Sequence, residues 1–415
     1  MEFSTKVLHG KSVRRFQDGA TLPPISQVSA FSYDTAEELE KVFANKAPGF
    51  AYTRIGNPTI DAFEKRVCEL EGGLAATACS SGMAAITSAL LNILQSGDEV
   101  IAGCGLYGGS IDLFGDLEAY GIKTRFVTHM NVAEIEKNIT EKTKVIFGEL
   151  IGNPGLDVMD ISSVAALAHA NGIPLIVDAT TATPYLVRPI EYGADIVIHS
   201  SSKYINGSGN SVSGIIVDSG NFKWDPAKYP VLEKYKKFGN FAFSARLQND
   251  TWRNIGGCLA PMNAYMNMVG LETLALRMQR ICDNALALAK ALERIKGIEV
   301  NYPGLERNSY YSLVQSQFGG KGGGIVTLRA GSKARAYRLM NSLKYALKAT
   351  NIGDTKTLVI HPASTIYLHS TEEQRIYAGV YDDTIRVSVG IEDAKDLIED
   401  FVDSIRHLDE TEGEG

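Results

Sequence analysis

Two charged residues close apolar runs in the middle of this chain. Asp178 ends PLIVDAT, and Lys203 follows DIVIHS within HSSSKY. An acid at the carboxyl end of a buried strand lies where α/β proteins bind ligands. A lysine desolvated nearby has a lowered pKa, so its amine can form an imine and move protons. A third element lies upstream in CSSGMAAI, where Ser81, Gly82 and Met83 lead into a helix. Small residues and free N–H groups at a helix N-terminus suit a phosphate dianion. The hydroxyls of Ser200 and Ser202 stand beside the lysine as further donors. An imine lysine, a ring-pairing acid and a phosphate cradle are the protein's share of pyridoxal-phosphate chemistry. In that role Asp178 keeps the ring nitrogen protonated and makes the ring an electron sink. Singly, each feature has a plainer reading: a capping Asp, a solvated Lys, a capped buried helix. The three in this order favour the cofactor.

Such a site needs a sheet to carry it. EVIAG (99–103), TRFVT (124–128), KVIFGEL (144–150), PLIVDAT (174–180), DIVIHS (195–200) and GIIVD (214–218) read as buried strands. Helical stretches such as SIDLFGDLEAYG and ISSVAALAHANG separate some of them, the latter ending at Gly172. Continuous apolar strands alternating with helices predict a mainly parallel sheet covered on both faces. Beyond Pro261 a long helical region (263–294) precedes the strands GIVTLRA and TIRVSVG, which predicts a smaller α+β domain. The expected division is an N-terminal arm (1–58), a large α/β domain (59–260) and a C-terminal domain (261–415). The acidic tail DETEGEG is expected to be disordered.

Composition removes several alternatives. With 415 residues the chain exceeds one compact core, and its net charge of −7 gives no footprint for nucleic acid. Lysines in 221–256 are interrupted by Asp225, Glu233 and Asp250. The uncharged run Leu74–Leu94 has the length of a membrane span, but its serines, threonines and Asn92 make it a buried helix instead. Five scattered cysteines with no C-x-x-C, and histidines without ligand spacing, point to reduced thiols, a cytoplasmic protein and no metal. The N-terminus MEFSTKVLHGKSVRRF lacks a secretory apolar stretch. Gly103, Gly105 and Gly108 imitate a dinucleotide fingerprint, yet the next strand ends TRFVTHM without the acid a ribose needs.

The order AYTRIGNPT, SSGMAAI, GLYGGS, VDATTATPY, HSSSKY and IRVSVGIED resembles the Cys/Met-metabolism family of pyridoxal-phosphate enzymes over nearly the whole chain. The resemblance implies an aspartate-aminotransferase-like large domain (fold type I) plus a smaller domain. It implies that Tyr107 stacks on the cofactor ring and helps move protons. Tyr52 and Arg54 would reach the phosphate of a neighbouring subunit, so that a homotetramer shares its active sites; an arginine fork suits phosphate. Asn153, in ELIGNPG, would lie near the ring hydroxyl, and Arg386 would clamp the substrate carboxylate. An arginine amid apolar strand residues needs an anion or a structural ion pair. The chain departs from the family at Ala179, where Asn is usual, and at Ser202, where Thr is usual. Gly207–Ser208 and Asn210 depart as well.

Three features resemble the O-acetylhomoserine sulfhydrylase branch. Gly109 stands where methionine γ-lyases carry cysteine. Asn351 replaces a serine common in lyases. The aromatic-rich stretch 221–256 holds both tryptophans, Trp224 and Trp252. The implied reaction is γ-replacement: acetate leaves Cγ of O-acetyl-L-homoserine, a sulfur donor takes its place, and homocysteine forms for methionine biosynthesis. The alternative is γ-elimination, or replacement of the cystathionine γ-synthase and γ-lyase type. Acetyl, succinyl and phosphoryl esters all fit these residues, as do sulfide, a thiol or a carrier protein as donor.

Overall fold

The computed structural model describes residues 1–12, 19–103 and 105–413, with side chains as far as 408. Seven strands form the larger sheet: β1 (Ala75–Cys79), β2 (Glu99–Gly103), β3 (Lys123–Val127), β4 (Thr143–Glu149), β5 (Leu175–Asp178), β6 (Ile196–His199) and β7 (Gly214–Asp218). Their order is β1-β7-β6-β5-β4-β2-β3. The five strands from β6 to β3 are parallel, while β7 is antiparallel to both β6 and β1. Because the direction reverses twice, β1 runs the same way as β6. The carboxyl ends of β1, β4, β5 and β6 therefore meet at one edge.

Apolar side chains on both faces of these strands call for cover on both sides. The helices Pro58–Glu71 and Ile161–Ala170 pack on the face carrying Val177 and Val197. Gly82–Leu91 and Gly108–Glu118 pack on the face carrying Ile176 and Ile198. The aromatic stretch forms short helical turns whose Trp224, Tyr229 and Phe243 join this second core. It backs the cradle, since Trp252 Nε1 donates to Ala78 O at 3.1 Å and Asn92 Nδ2 donates to Phe243 O at 2.9 Å.

The second sheet holds β8 (Glu299–Asn301), β9 (Ile325–Arg329), β10 (Leu347–Lys348), β11 (Leu358–Ile360) and β12 (Thr384–Ser388), in the order β10-β11-β12-β9-β8. Ile385 and Val387 of β12 enter a core with Leu397, Phe401 and Ile405 of the last helix. Alternation along the strand turns Arg386 to the opposite face, towards the larger sheet. The helix Leu274–Leu292 joins the two cores: Leu274, Met278 and Ile281 belong to the first, and Ala285, Leu288 and Leu292 to the other.

Several expectations are corrected. Leu74–Leu94 is not one helix but β1, a turn and the helix Gly82–Leu91. Burial all round removes the periodicity that would have separated strand from helix. The long region after Pro261 is two helices, Pro261–Glu272 and Leu274–Leu292, broken at Thr273. The backbone of the last helix runs on to Gly413, through residues expected to be unordered. Three two- or three-residue strands, β8, β10 and β11, are too short to leave a pattern. No helix among the described residues is long and apolar enough to cross a membrane.

One buried arginine fastens the turn that carries Lys203. Arg277 donates to Tyr204 O at 2.6 Å, Ile205 O at 3.2 Å, Gly270 O at 2.6 Å and Thr273 Oγ1 at 3.1 Å. Gly207 lies against its guanidinium with φ +75°, and a Cβ there would meet Nη1 at 2.2 Å. Arg277→Met should strand three carbonyls. Chemical denaturation of the cofactor-free protein should show a loss of about 2–4 kcal/mol.

Candidate active site

A cavity of about 670 Å³ opens at the shared carboxyl edge, between the larger sheet and β12. Eleven of the thirteen residues singled out from the sequence line it: Ser81, Gly82, Met83, Tyr107, Asn153, Asp178, Ser200, Ser202, Lys203, Asn351 and Arg386. Tyr52 and Arg54 do not. Both are exposed, and Arg54 Nη1 donates to Arg253 O at 2.8 Å.

Asp178 ends β5, buried, with Oδ1 accepting from Thr180 N at 2.9 Å. Burial raises its pKa, against the pull of Thr180 and of nearby His199. It has no ion-pair partner among the described residues. Lys203 lies in the turn after β6, and its Nζ donates to Asn351 Oδ1 at 2.6 Å. Burial first, then the charge of Arg386, holds its ammonium below the ordinary lysine range. Arg386 is buried and also lacks a carboxylate among the described residues. It donates to Asn153 Oδ1 at 3.2 Å and to Asn351 O at 3.0 Å, while its Nε has no partner. Burial pushes its pKa down to about 10, which leaves it charged at neutral pH.

The cradle forms where β1 turns into its helix. Ser81 caps that helix by accepting from Ala84 N at 3.0 Å, and the N–H groups of Gly82 and Met83 begin it. Ser200 presses so closely that a Cβ on Gly82 would stand 2.6 Å from the Ser200 Cβ. The Ser202 hydroxyl donates to Ser213 O at 2.9 Å and accepts from Ser213 N at 2.8 Å, and so braces the lysine turn. Tyr107 starts the helix Gly108–Glu118 with its ring partly exposed to the cavity. A Cβ on Gly109 would meet that ring at 2.7 Å, so the glycine lets the ring lie back against the helix.

Sequence reasoning missed Glu149, Thr180 and Thr181, which also line the cavity. Glu149 ends a buried strand just as Asp178 does, and that signal could have found it. Thr180 Oγ1 accepts from Ser200 N at 2.7 Å and so ties the β5 end to the cradle. Gly103 and Gly105 line a separate cavity of about 520 Å³ and form no phosphate loop at this site. Cys104 lies outside the described residues.

This arrangement fits pyridoxal phosphate: a buried acid without a cation, a half-buried amine, helix-start N–H groups against a close-packed glycine, and an arginine with an unpartnered nitrogen. Fold and site together define a pyridoxal-phosphate enzyme of fold type I. The chain belongs to the Cys/Met metabolism PLP-dependent enzyme family, whose model matches residues 4–406. It is 39% identical to homocysteine synthase of Schizosaccharomyces pombe, over 97% of this chain and 98% of that one. It is 36% identical to O-acetyl-L-homoserine sulfhydrylase of Leptospira meyeri, over 97% and 96%. Among solved structures, a putative O-acetylhomoserine (thiol)-lyase of Campylobacter jejuni, containing pyridoxyl-lysine phosphate, superposes with a TM-score of 0.93. That match has 33% identity and covers 98% of this chain and 100% of that one.

The buried acid has a consequence for stability. The pKa of Asp178 is raised in the folded state, so the folded protein holds its proton to higher pH than the unfolded chain does. Stability is therefore lost as pH rises from the unfolded value through the folded one. Asp178→Asn should make the cofactor-free protein melt at a higher temperature at pH 7–8. The difference should vanish below about pH 4, where both states are protonated, while cofactor affinity falls. Thermal melts across pH, with equilibrium dialysis of the cofactor, check this.

Proposed function

We propose that this enzyme makes L-homocysteine and acetate from O-acetyl-L-homoserine and sulfide, by γ-replacement in methionine biosynthesis. The observation that carries the reading is the Lys203 amine held by Asn351 beside Asp178 and Arg386 in one cavity, in a chain whose full-length relatives are named homocysteine synthase and O-acetyl-L-homoserine sulfhydrylase.

The cofactor, when bound, supplies the electron sink that makes protons at Cα and Cβ removable. Lys203 would hold it covalently, and its Nζ, when free, would move those protons. Its depressed pKa suits both tasks. Asp178 pairs with the ring nitrogen, and Asn153 lies near the ring hydroxyl. The N–H groups of Gly82 and Met83, with Ser81 and Ser200, take the phosphate. Ser202 acts through the main chain of Ser213. Tyr107 covers the ring face and helps move protons. Arg386 binds the substrate carboxylate with donors its two amide partners leave unused, Nε among them, and Asn351 steers the lysine amine.

The active form is a cytoplasmic homotetramer in which Tyr52 and Arg54 complete a neighbour's phosphate site. Their exposure outside this chain's cavity supports that assignment. So does the helix Ala36–Phe43, which buries none of its residues. The arm (1–58), the cofactor domain (59–260) and the C-terminal domain (261–415) are the proposed division of labour.

Incubating the protein with cofactor and O-acetylhomoserine should yield homocysteine only when sulfide is added, with little 2-oxobutyrate. Lys203→Ala should abolish turnover. Dominant 2-oxobutyrate, above all from methionine, would overturn γ-replacement, and turnover retained by Lys203→Ala would overturn the whole scheme.

A further inference from the structure

Glu149 is the one carboxyl at the site to which the cofactor reading gives no task. It pairs in register with Asp178 across β4 and β5. The two carboxyls thus leave the same face of neighbouring strands, about 5 Å apart at the backbone. Both line the cavity. Glu149 Oε1 accepts from Tyr107 N at 2.6 Å, and the carboxyl also accepts from the main-chain N–H of Asn153. Neither acid has a cationic partner among the described residues. Lys203 and Arg386 donate to the amide oxygens of Asn351 and Asn153 instead.

Two carboxylates this close in a desolvated site repel strongly, and such a pair holds a proton in common. A ring cation on Asp178 requires that carboxylate to be ionised, which leaves the proton to its neighbour. We propose that Glu149 is a positioning residue that stays neutral: it bears the proton of the pair, lets Asp178 alone carry the charge facing the ring, and anchors the N–H of Tyr107. Burial, with the charge of Asp178 next, pushes the pKa of Glu149 well up, in agreement with this assignment. The other ionisable groups facing the pair are Tyr107, Tyr367, Lys203 and Arg386 on β12, while His199 on β6 acts on Asp178 from behind the strand. His199 is engaged with Glu71 on the far face of the sheet, at 2.5 Å.

The inference rests on the cofactor reading, so its test has two arms. Infrared difference spectra of the cofactor-free protein at neutral pH should show a protonated-carboxyl band that is absent from E149Q. In the loaded protein, E149Q exchanges one neutral group for another and should leave the pH midpoint of the visible absorption in place. Removing a full negative charge about 6 Å away, at an effective dielectric of about 20, would lower that midpoint by about two units. E149A, which also takes the anchor from Tyr107, should turn over about ten-fold more slowly than E149Q. Each of three results would overturn the proposal: no band lost in E149Q, a midpoint lowered by about two units, or E149A equal to E149Q. A protein that takes up no cofactor fails the functional reading, and the infrared arm still judges Glu149.

Discussion

An unneutralised acid, Asp178, is held dry at the end of β5, and the rest of the site is arranged around that fact. Desolvation penalises the carboxylate, and among the described residues no side chain forms an ion pair with it. The fold meets the cost with many apolar contacts on both faces of the larger sheet. A ligand that brings its own cation to this carboxylate relieves what the protein alone does not. Buried polar groups that the protein leaves unmatched mark the place a ligand is to fill.

The same economy governs the cations. Lys203 and Arg386 share the cavity with two acids, yet each donates to neutral oxygens, so neither is locked into an ion pair. An amine bonded to an amide oxygen gives up its proton more readily than one paired with a carboxylate. Arg386 keeps its charge and an unpartnered Nε–H with which to meet an anion. These placements depend on distant parts of the chain. Asn351 is 148 residues from Lys203, and Arg386 is 233 from Asn153. The helix Leu274–Leu292, rooted in both cores, keeps them in register.

How much of this was legible in the sequence depends on how local each feature is. Asp178 and Lys203 could be read because each follows an apolar run long enough to be a buried strand. Glu149 carries the same mark and was passed over. β1 was hidden because AATAC lacks both alternation and β-branched bulk, and the helix after it is as uncharged as the strand. The engagement of Ser202 with Ser213 could not be read, since only the antiparallel return of β7 brings Ser213 back to the lysine turn. Tyr52 and Arg54 came from resemblance alone. Nothing in their immediate neighbours marks them, and they lie outside this chain's own cavity.

The account stands on Lys203 being the residue that carries the cofactor. The direct measurement is to load the protein with pyridoxal phosphate, reduce it with borohydride, digest it and locate the pyridoxyl mass by peptide sequencing. The account predicts one labelled peptide, with the modification on Lys203. Label on any other lysine, or a loaded protein that yields no labelled peptide, would contradict it.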